Sequence, residues 1–278
     1  MQVANSQISF LRPTKPRPEL PLLIFLPAMD GTGKLLRSQQ SRLSSAFDIR
    51  CLSIPPNDLS SWEQLLEKTV ELIEIEREAI PKRPVYLCGE SFGGCLALKV
   101  AFTTPELFNK LILVNSASSF SQQPLVKYGS YLTQYLPSHL YRLSVTGTLP
   151  FLAALGRMER AERQALLEAM QSVSQQTSIW RLELMRSFQV DKNQLEKLKK
   201  PVLVIASAAD RLLPSISQAK FLVKHLPEAK MVILPNSGHA CLLETDVDFY
   251  EIIQNRWGSE LVGAERNIVS TTQKIATT

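Results

Sequence analysis

Six short, largely apolar runs recur along the chain, at Leu22 to Leu26, Ile49 to Ile54, Val85 to Cys88, Leu111 to Val114, Val202 to Ala206 and Met231 to Leu234. Runs of this length, bounded by prolines, glycines or charges, are the pattern of parallel strands buried on both faces. Between them the period changes. Trp62, Leu65, Leu66, Thr69, Val70 and Ile73 fall on one face of a helix, and Phe92 to Phe102 is apolar nearly all round, as in a helix sunk into a core. Strand and helix alternating in this way predict right-handed βαβ units: an α/β fold with a mostly parallel sheet flanked by helices.

The alternation stops between 120 and 198. That stretch has no strand-like run, but carries Tyr128, Tyr131, Tyr135, Tyr141, Phe151, Leu166, Met170, Trp180 and Met185 at helical spacing. It predicts a helical lid inserted between two strands of the sheet. Residues 1–20 are polar and hold Pro13, Pro16 and Pro18, which disfavour both helix and sheet, so an extended lead-in is expected and the ordered fold should start near Pro21. The layout is therefore a lead-in over 1–20, a core from 21–119 and 199–257, a lid over 120–198 and a polar, loosely ordered tail over 258–278.

Composition narrows the class. With 278 residues, 45% of them hydrophobic and 21% charged, the chain can bury one substantial core and resembles an ordinary soluble domain. The net charge of +5 draws on Arg12, Lys15, Arg17 and the stretch Lys192 to Lys200. No basic run is interleaved with aromatics, so nucleic acid is not an expected partner, while peripheral contact with an anionic membrane surface stays open. Cys51, Cys88, Cys95 and Cys241 have no metal-binding spacing and read as buried, reduced core residues. The pattern of a secretory leader and an apolar stretch of about 18 residues are both missing from the sequence. The expectation is a reducing, cytoplasmic setting with no metal and no cofactor.

The chemistry concentrates at strand ends. After the run ending at Cys88 comes Gly89-Glu90-Ser91-Phe92-Gly93-Gly94 and then the apolar helix. Gly-x-Ser-x-Gly between a strand and a helix is the nucleophile elbow of the α/β-hydrolase fold, which exposes Ser91 above the sheet. A serine hydroxyl needs a base within hydrogen-bond reach and an acid to orient that base. Of the three histidines, His139 lies in the lid and His225 on a mixed helix, whereas His239 comes after the last strand-like run, just ahead of a helix beginning near Cys241. Asp210 comes after the run ending at Ala206. The position after Leu111 to Val114 holds Asn115 and Ser116, neither of which can carry the charge. The order Ser91, Asp210, His239 matches the fold's chain order. The oxyanion donors are then expected to be the N–H groups of Phe92 and Met29, the latter in a glycine-containing loop without the spacing of a phosphate cradle.

Leu26-Pro27-Ala28-Met29-Asp30-Gly31-Thr32-Gly33, with Cys51-Leu52-Ser53-Ile54-Pro55, the elbow and Gly238-His239, resembles the hydrolase domain of the phytyl ester synthase and esterase/lipase/thioesterase-like proteins of plastids and cyanobacteria, over about residues 20–257. In that family a glycine usually stands where this chain has Ala28, so a positive φ there would strain the loop. Larger members add an acyltransferase-like domain after the hydrolase, which a chain of this length is not expected to hold. The resemblance implies acyl chemistry on lipid-like esters; without the second domain hydrolysis is the expectation, and the Tyr, Phe, Leu and Met of the lid predict an apolar slot, so the reading is a serine esterase that cleaves medium- or long-chain acyl or prenyl esters through an acyl-enzyme on Ser91. Two alternatives remain: an acyltransferase forming phytyl or other fatty esters, and an inactive scaffold that binds a lipid.

Overall fold

The computed structural model describes residues 7–122 and 135–258. Its strands are β1 (Ser9–Leu11), β2 (Leu22–Leu26), β3 (Asp48–Ser53), β4 (Val85–Glu90), β5 (Lys110–Val114), β6 (Val202–Ser207) and β7 (Ala229–Leu234). Its helices are α1 (Gln40–Leu43), α2 (Trp62–Ala79), α3 (Phe92–Thr103), α4 (Ser138–Leu152), α5 (Arg160–Ser172), α6 (Gln175–Ser187), α7 (Lys192–Lys197), α8 (Ser215–His225) and α9 over residues 249–258. One sheet runs β1-β3-β2-β4-β5-β6-β7, parallel throughout except where β1 joins β3 antiparallel. The fold is the mostly parallel α/β-hydrolase sheet flanked by helices.

The alternation of side chains along each strand explains why the runs look continuous. Leu22, Ile24 and Leu26, with Val85 and Leu87, Leu111 and Leu113, Val202 and Val204, pack under α2, α3 and α8. Their neighbours Leu23, Phe25, Tyr86, Cys88, Ile112 and Ile205 pack the opposite face against Leu43, Phe249, Ile253 and Trp257. A strand covered on both sides has no polar face to reveal its period. The edge strand β7 is only half-buried. All four cysteines are buried free thiols.

The ordered fold begins earlier than Pro21. Ser9–Leu11 pairs with β3 from Leu11 against Cys51 to Ser9 against Ser53. Such a strand is too short to show a period, and its register comes from the free edge of β3. Residues 259–278, where the polar tail was expected, lie outside the described residues, as do Tyr128 and Tyr131.

Among the described residues between β5 and β6 lie helices α4 to α7. The aromatic and aliphatic positions of this insertion do not share one slot. Leu184, Met185 and Phe188 enter the main core. Leu166 and Ala169 form a smaller cluster with Leu35, Ala153, Met158 and Leu243. Tyr141 is buried and donates to Ser178 Oγ at 2.6 Å, whereas Tyr135 and Phe151 are exposed. Among the described residues no helix is long and apolar enough to cross a membrane.

Candidate active site

In the sheet order the chain adds β3 on one side of β2 and β4 on the other. The loops leaving the carboxyl ends of β2 and β4 therefore diverge and leave a crevice, the usual ligand position in open α/β sheets. The Pro27–Gly33 loop and the elbow both stand at this point.

Ser91 links β4 to α3 with φ 52° and ψ −112°, a left-handed backbone that a side chain tolerates only under constraint, at a cost of about 1–3 kcal/mol. The constraint is visible. Ser91 N–H donates to Val114 O at 3.0 Å, and Ser91 O accepts from Gly94 N at 2.9 Å and Ala117 N at 3.0 Å. A Cβ at Gly93 would overlap the Leu26 and Pro27 carbonyls, and one at Gly89 would overlap the Gly93 carbonyl. The two glycines of the motif are thus demanded by the approach of backbone to backbone, which presses the turn against the end of β2.

The structure brings Ser91, His239 and Asp210 together. His239 Nε2 lies 2.8 Å from Ser91 Oγ, and His239 Nδ1 lies 2.7 Å from Asp210 Oδ2. With Nδ1–H donating to the carboxylate, Nε2 is left as the acceptor for the serine hydroxyl. Asp210 is held in turn: Oδ1 accepts from Leu212 N at 2.8 Å and Leu213 N at 3.0 Å, and Ser215 Oγ donates to Oδ2. An Asx turn and the partnership with His239 coexist because each uses a different carboxylate oxygen. His225 instead contacts Glu196 at 3.0 Å, at the far end of α8.

Burial disfavours charge on Asp210, but the facing imidazole, with its hydrogen bond and those from Ser215 and Leu213, outweighs it and holds the carboxyl below its usual range. Burial likewise pushes the His239 pKa down, but the Asp210 charge and hydrogen bond, with Glu90 nearby, carry it above 6.5. Burial pushes the Glu90 carboxyl up to about 7, with His239 opposing the rise and the Asp30 charge adding to it. Ser91 is 5% exposed and His239 4%, so both side chains are almost wholly covered.

Among the described residues neither the Met29 nor the Phe92 N–H has a hydrogen-bond partner. Both are free donors beside the crevice. Ala28 is not among the residues with positive φ, which outside glycine are Lys82, Ser91 and Asn115 among the described residues, so its methyl group introduces no strain of that kind.

Several supporting residues have no sequence signal. Asn115, at φ 42°, accepts from Ser207 N at 2.8 Å and donates to Ser207 Oγ at 2.9 Å and to His239 O at 2.7 Å, stitching β5 and β6 to the histidine loop. Buried Glu244 accepts from Gly238 N at 2.7 Å and from Arg157 Nε at 2.9 Å. Trp62 stacks on Phe92 with centroids 4.7 Å apart. Where a helix was expected near Cys241, the chain makes a single 3-10 turn, Cys241–Leu243, and α9 comes later.

Comparison with known proteins identifies the family and the fold. A family model described as serine aminopeptidase, S33, matches residues 56–246. Phytyl ester synthase 1, chloroplastic, of Arabidopsis thaliana is 32% identical over 262 residues, covering 86% of this chain but only 37% of that protein. The pimeloyl-[acyl-carrier protein] methyl ester esterase of Nitrosomonas europaea is 27% identical, over 74% of this chain and 84% of that one. Among solved structures, an esterase from Exiguobacterium antarcticum superposes with a TM-score of 0.73 at 16% identity, covering 91% of this chain and 94% of the other.

Proposed function

We infer the activity from one premise: the chain belongs to the α/β-hydrolase family described as serine aminopeptidase, S33, and is a serine-type hydrolase. Within that class we read it as an esterase of lipid-like acyl or prenyl esters, with Ser91 as nucleophile, His239 as base and Asp210 as orienting acid. The observation that carries this reading is the placement of the His239 ring between Ser91 Oγ and Asp210 Oδ2, at 2.8 and 2.7 Å.

In the cycle, His239 Nε2 takes the Ser91 proton as Oγ attacks the ester carbonyl, and Asp210 stabilises the imidazolium. The N–H groups of Phe92 and Met29 receive the developing oxyanion. His239 returns its proton to the leaving alcohol, and water resolves the acyl-enzyme by the reverse path. The relationship to the ester synthase and to the methyl ester esterase supports an ester substrate, and the apolar surroundings of Phe92, Trp62, Met29 and Leu212 suit an acyl chain. Each methylene buried contributes about 0.8 kcal/mol, so longer chains are favoured.

A p-nitrophenyl ester series, with fluorophosphonate labelling, tests the reading. Medium or long chains should be preferred over acetate, and labelling should disappear in Ser91→Ala. Equal activity on acetate removes the chain-length inference, and absence of labelling in the wild type leaves a lipid-binding scaffold. A second reading, acyl transfer to an alcohol such as phytol, is favoured by the 32% identity and by the near-complete burial of Ser91 and His239. Supplying phytol and measuring ester against free acid separates the two.

A further inference from the structure

Arg181 sits on α6, inside the insertion and far in sequence from either catalytic loop. Its side chain is buried at 2% exposure, yet among the described residues it forms no ion pair. The other deeply buried guanidinium groups behave differently: Arg50 and Arg83 lie against Asp48, and Arg50 also against Glu76. A buried charge without a carboxylate partner is strongly unfavourable, and an apolar side chain of similar volume would fill the space without that penalty.

Its hydrogen bonds all go to main-chain carbonyls, with the Asp30 and Asp58 charges acting on it as well. Arg181 Nη1 donates to Met29 O at 2.8 Å and to Asp30 O at 3.0 Å, and Nη2 donates to Pro55 O at 2.8 Å. Met29 and Asp30 belong to the loop whose Met29 N–H is a free donor at the crevice. That loop is tied at three further points: Gly31 N–H donates to Ala28 O at 3.0 Å, Ile54 N–H donates to Gly31 O at 2.7 Å, and Thr32 N–H donates to the Asp30 carboxylate at 2.8 Å. None of these ties fixes the Met29 and Asp30 carbonyls; Arg181 does. Gly31, at φ 70°, is required twice over, because a Cβ there would also stand 2.6 Å from Arg181 Nη1.

The guanidinium is itself aimed. Trp180 Nε1 donates to Ser60 O at 2.9 Å and Trp62 Nε1 donates to Leu184 O at 2.8 Å, so α6 is fastened to the core on either side of Arg181. The positive charge also faces Asp30, whose carboxyl burial holds above its usual range despite the hydrogen bonds from Thr32 and the Arg181 charge.

We propose that Arg181 is a positioning residue for the oxyanion loop: it commits the Met29 and Asp30 carbonyls to one orientation away from the crevice, so that the Met29 N–H, in the peptide plane that Gly31 holds through Ala28 O, is the group this loop offers the transition state. A carbonyl free to turn toward the crevice would present lone pairs to a developing oxyanion. The inserted helices thereby take part in catalysis, since moving α6 would release the oxyanion loop. This rests on the reading of Ser91 as nucleophile.

The test uses the full chain, with Arg181→Met, which fills the space without charge, and Arg181→Ala, which leaves room for added guanidinium ion. On the p-nitrophenyl ester best cleaved by the wild type, kcat should fall about 10- to 100-fold in Arg181→Met, with KM changed by less than about threefold. Binding of a trifluoromethyl ketone, which forms a tetrahedral adduct on a serine, should weaken by the same factor as kcat/KM. Millimolar guanidinium should restore part of kcat to Arg181→Ala and leave the wild type unaffected. Unchanged kcat in Arg181→Met, with only the melting temperature altered, would overturn the proposal and reduce Arg181 to a structural clasp. A wild-type turnover that survives Ser91→Ala overturns the nucleophile reading and this proposal with it, an outcome that the Ser91→Ala control distinguishes from the first.

Discussion

Glu90 is the last residue of β4, directly before Ser91, the proposed nucleophile, and it is buried with no hydrogen bond to its carboxyl among the described residues. Burial is the main reason that its pKa rises from 4.5 to about 7. Replacing it by Gln keeps the shape of the protonated acid and removes the ionisation. Because the folded state holds this proton to higher pH than the unfolded chain does, wild-type stability falls as pH rises from 4.5 through about 7. At 1.36 kcal/mol per pH unit the penalty reaches about 3 kcal/mol above that window. Glu90→Gln should therefore match the wild type in acid and exceed it by about that amount at alkaline pH. Urea unfolding of both proteins across the window, with the difference in unfolding free energy plotted against pH, measures it. A flat difference, or one that grows toward acid, refutes the claim that the ionised carboxylate is the destabilising species. The same substitution removes a negative charge that helps raise the His239 pKa, so the acid limb of kcat/KM should move to lower pH.

The site and the surface carry three further expected outcomes. Because His239 must be neutral to accept a proton and its pKa is raised, kcat/KM should be lost as pH falls through a value above 6.5; Asp210→Asn should move that limb down and lower kcat by roughly 10⁴-fold, both read from pH–rate profiles. Asn115→Leu strips Ser207 N and His239 O of buried partners and should destabilise the fold by about 2–5 kcal/mol in denaturant unfolding, against no change for a solvent-facing Asn. Leu140, Leu143 and Phe151 are exposed on α4, within a stretch free of Asp and Glu from Leu107 to Met158. The chain should sediment with vesicles rich in phosphatidylglycerol, and Leu143→Glu should reduce that binding; equal binding to neutral phosphatidylcholine would remove the electrostatic part.

Much of the architecture was readable because burial on both faces leaves a local mark. The runs at Leu22, Val85, Leu111 and Val202 needed only a count of apolar positions, and their boundaries moved by a residue or two at most. The elbow was legible for a related reason: Gly89 and Gly93 are forced by backbone contact, so the sequence around Ser91 has little freedom. Asp210 and His239 were singled out by their places after strands, and the structure brings both to Ser91. Proximity to the end of a strand is a local property.

The contacts that only the tertiary structure decided have no local mark. Ser9–Leu11 becomes a strand because β3 offers an open edge. Asn115 looked like an unsuitable acid and is instead the clamp on the histidine loop, a role defined by partners on β6 and beside His239. Met185 had the spacing of a lid lining and entered the main core, because helical periodicity states that a face is apolar without stating what covers it. Nothing in the residues around Arg181 singles it out; only the folded chain brings its guanidinium to three carbonyls of two distant loops. A stretch of sequence sets which side chains are available and the local geometry that each can adopt. Contacts between segments far apart along the chain depend on how all the layers pack at once, and no short stretch of residues encodes that.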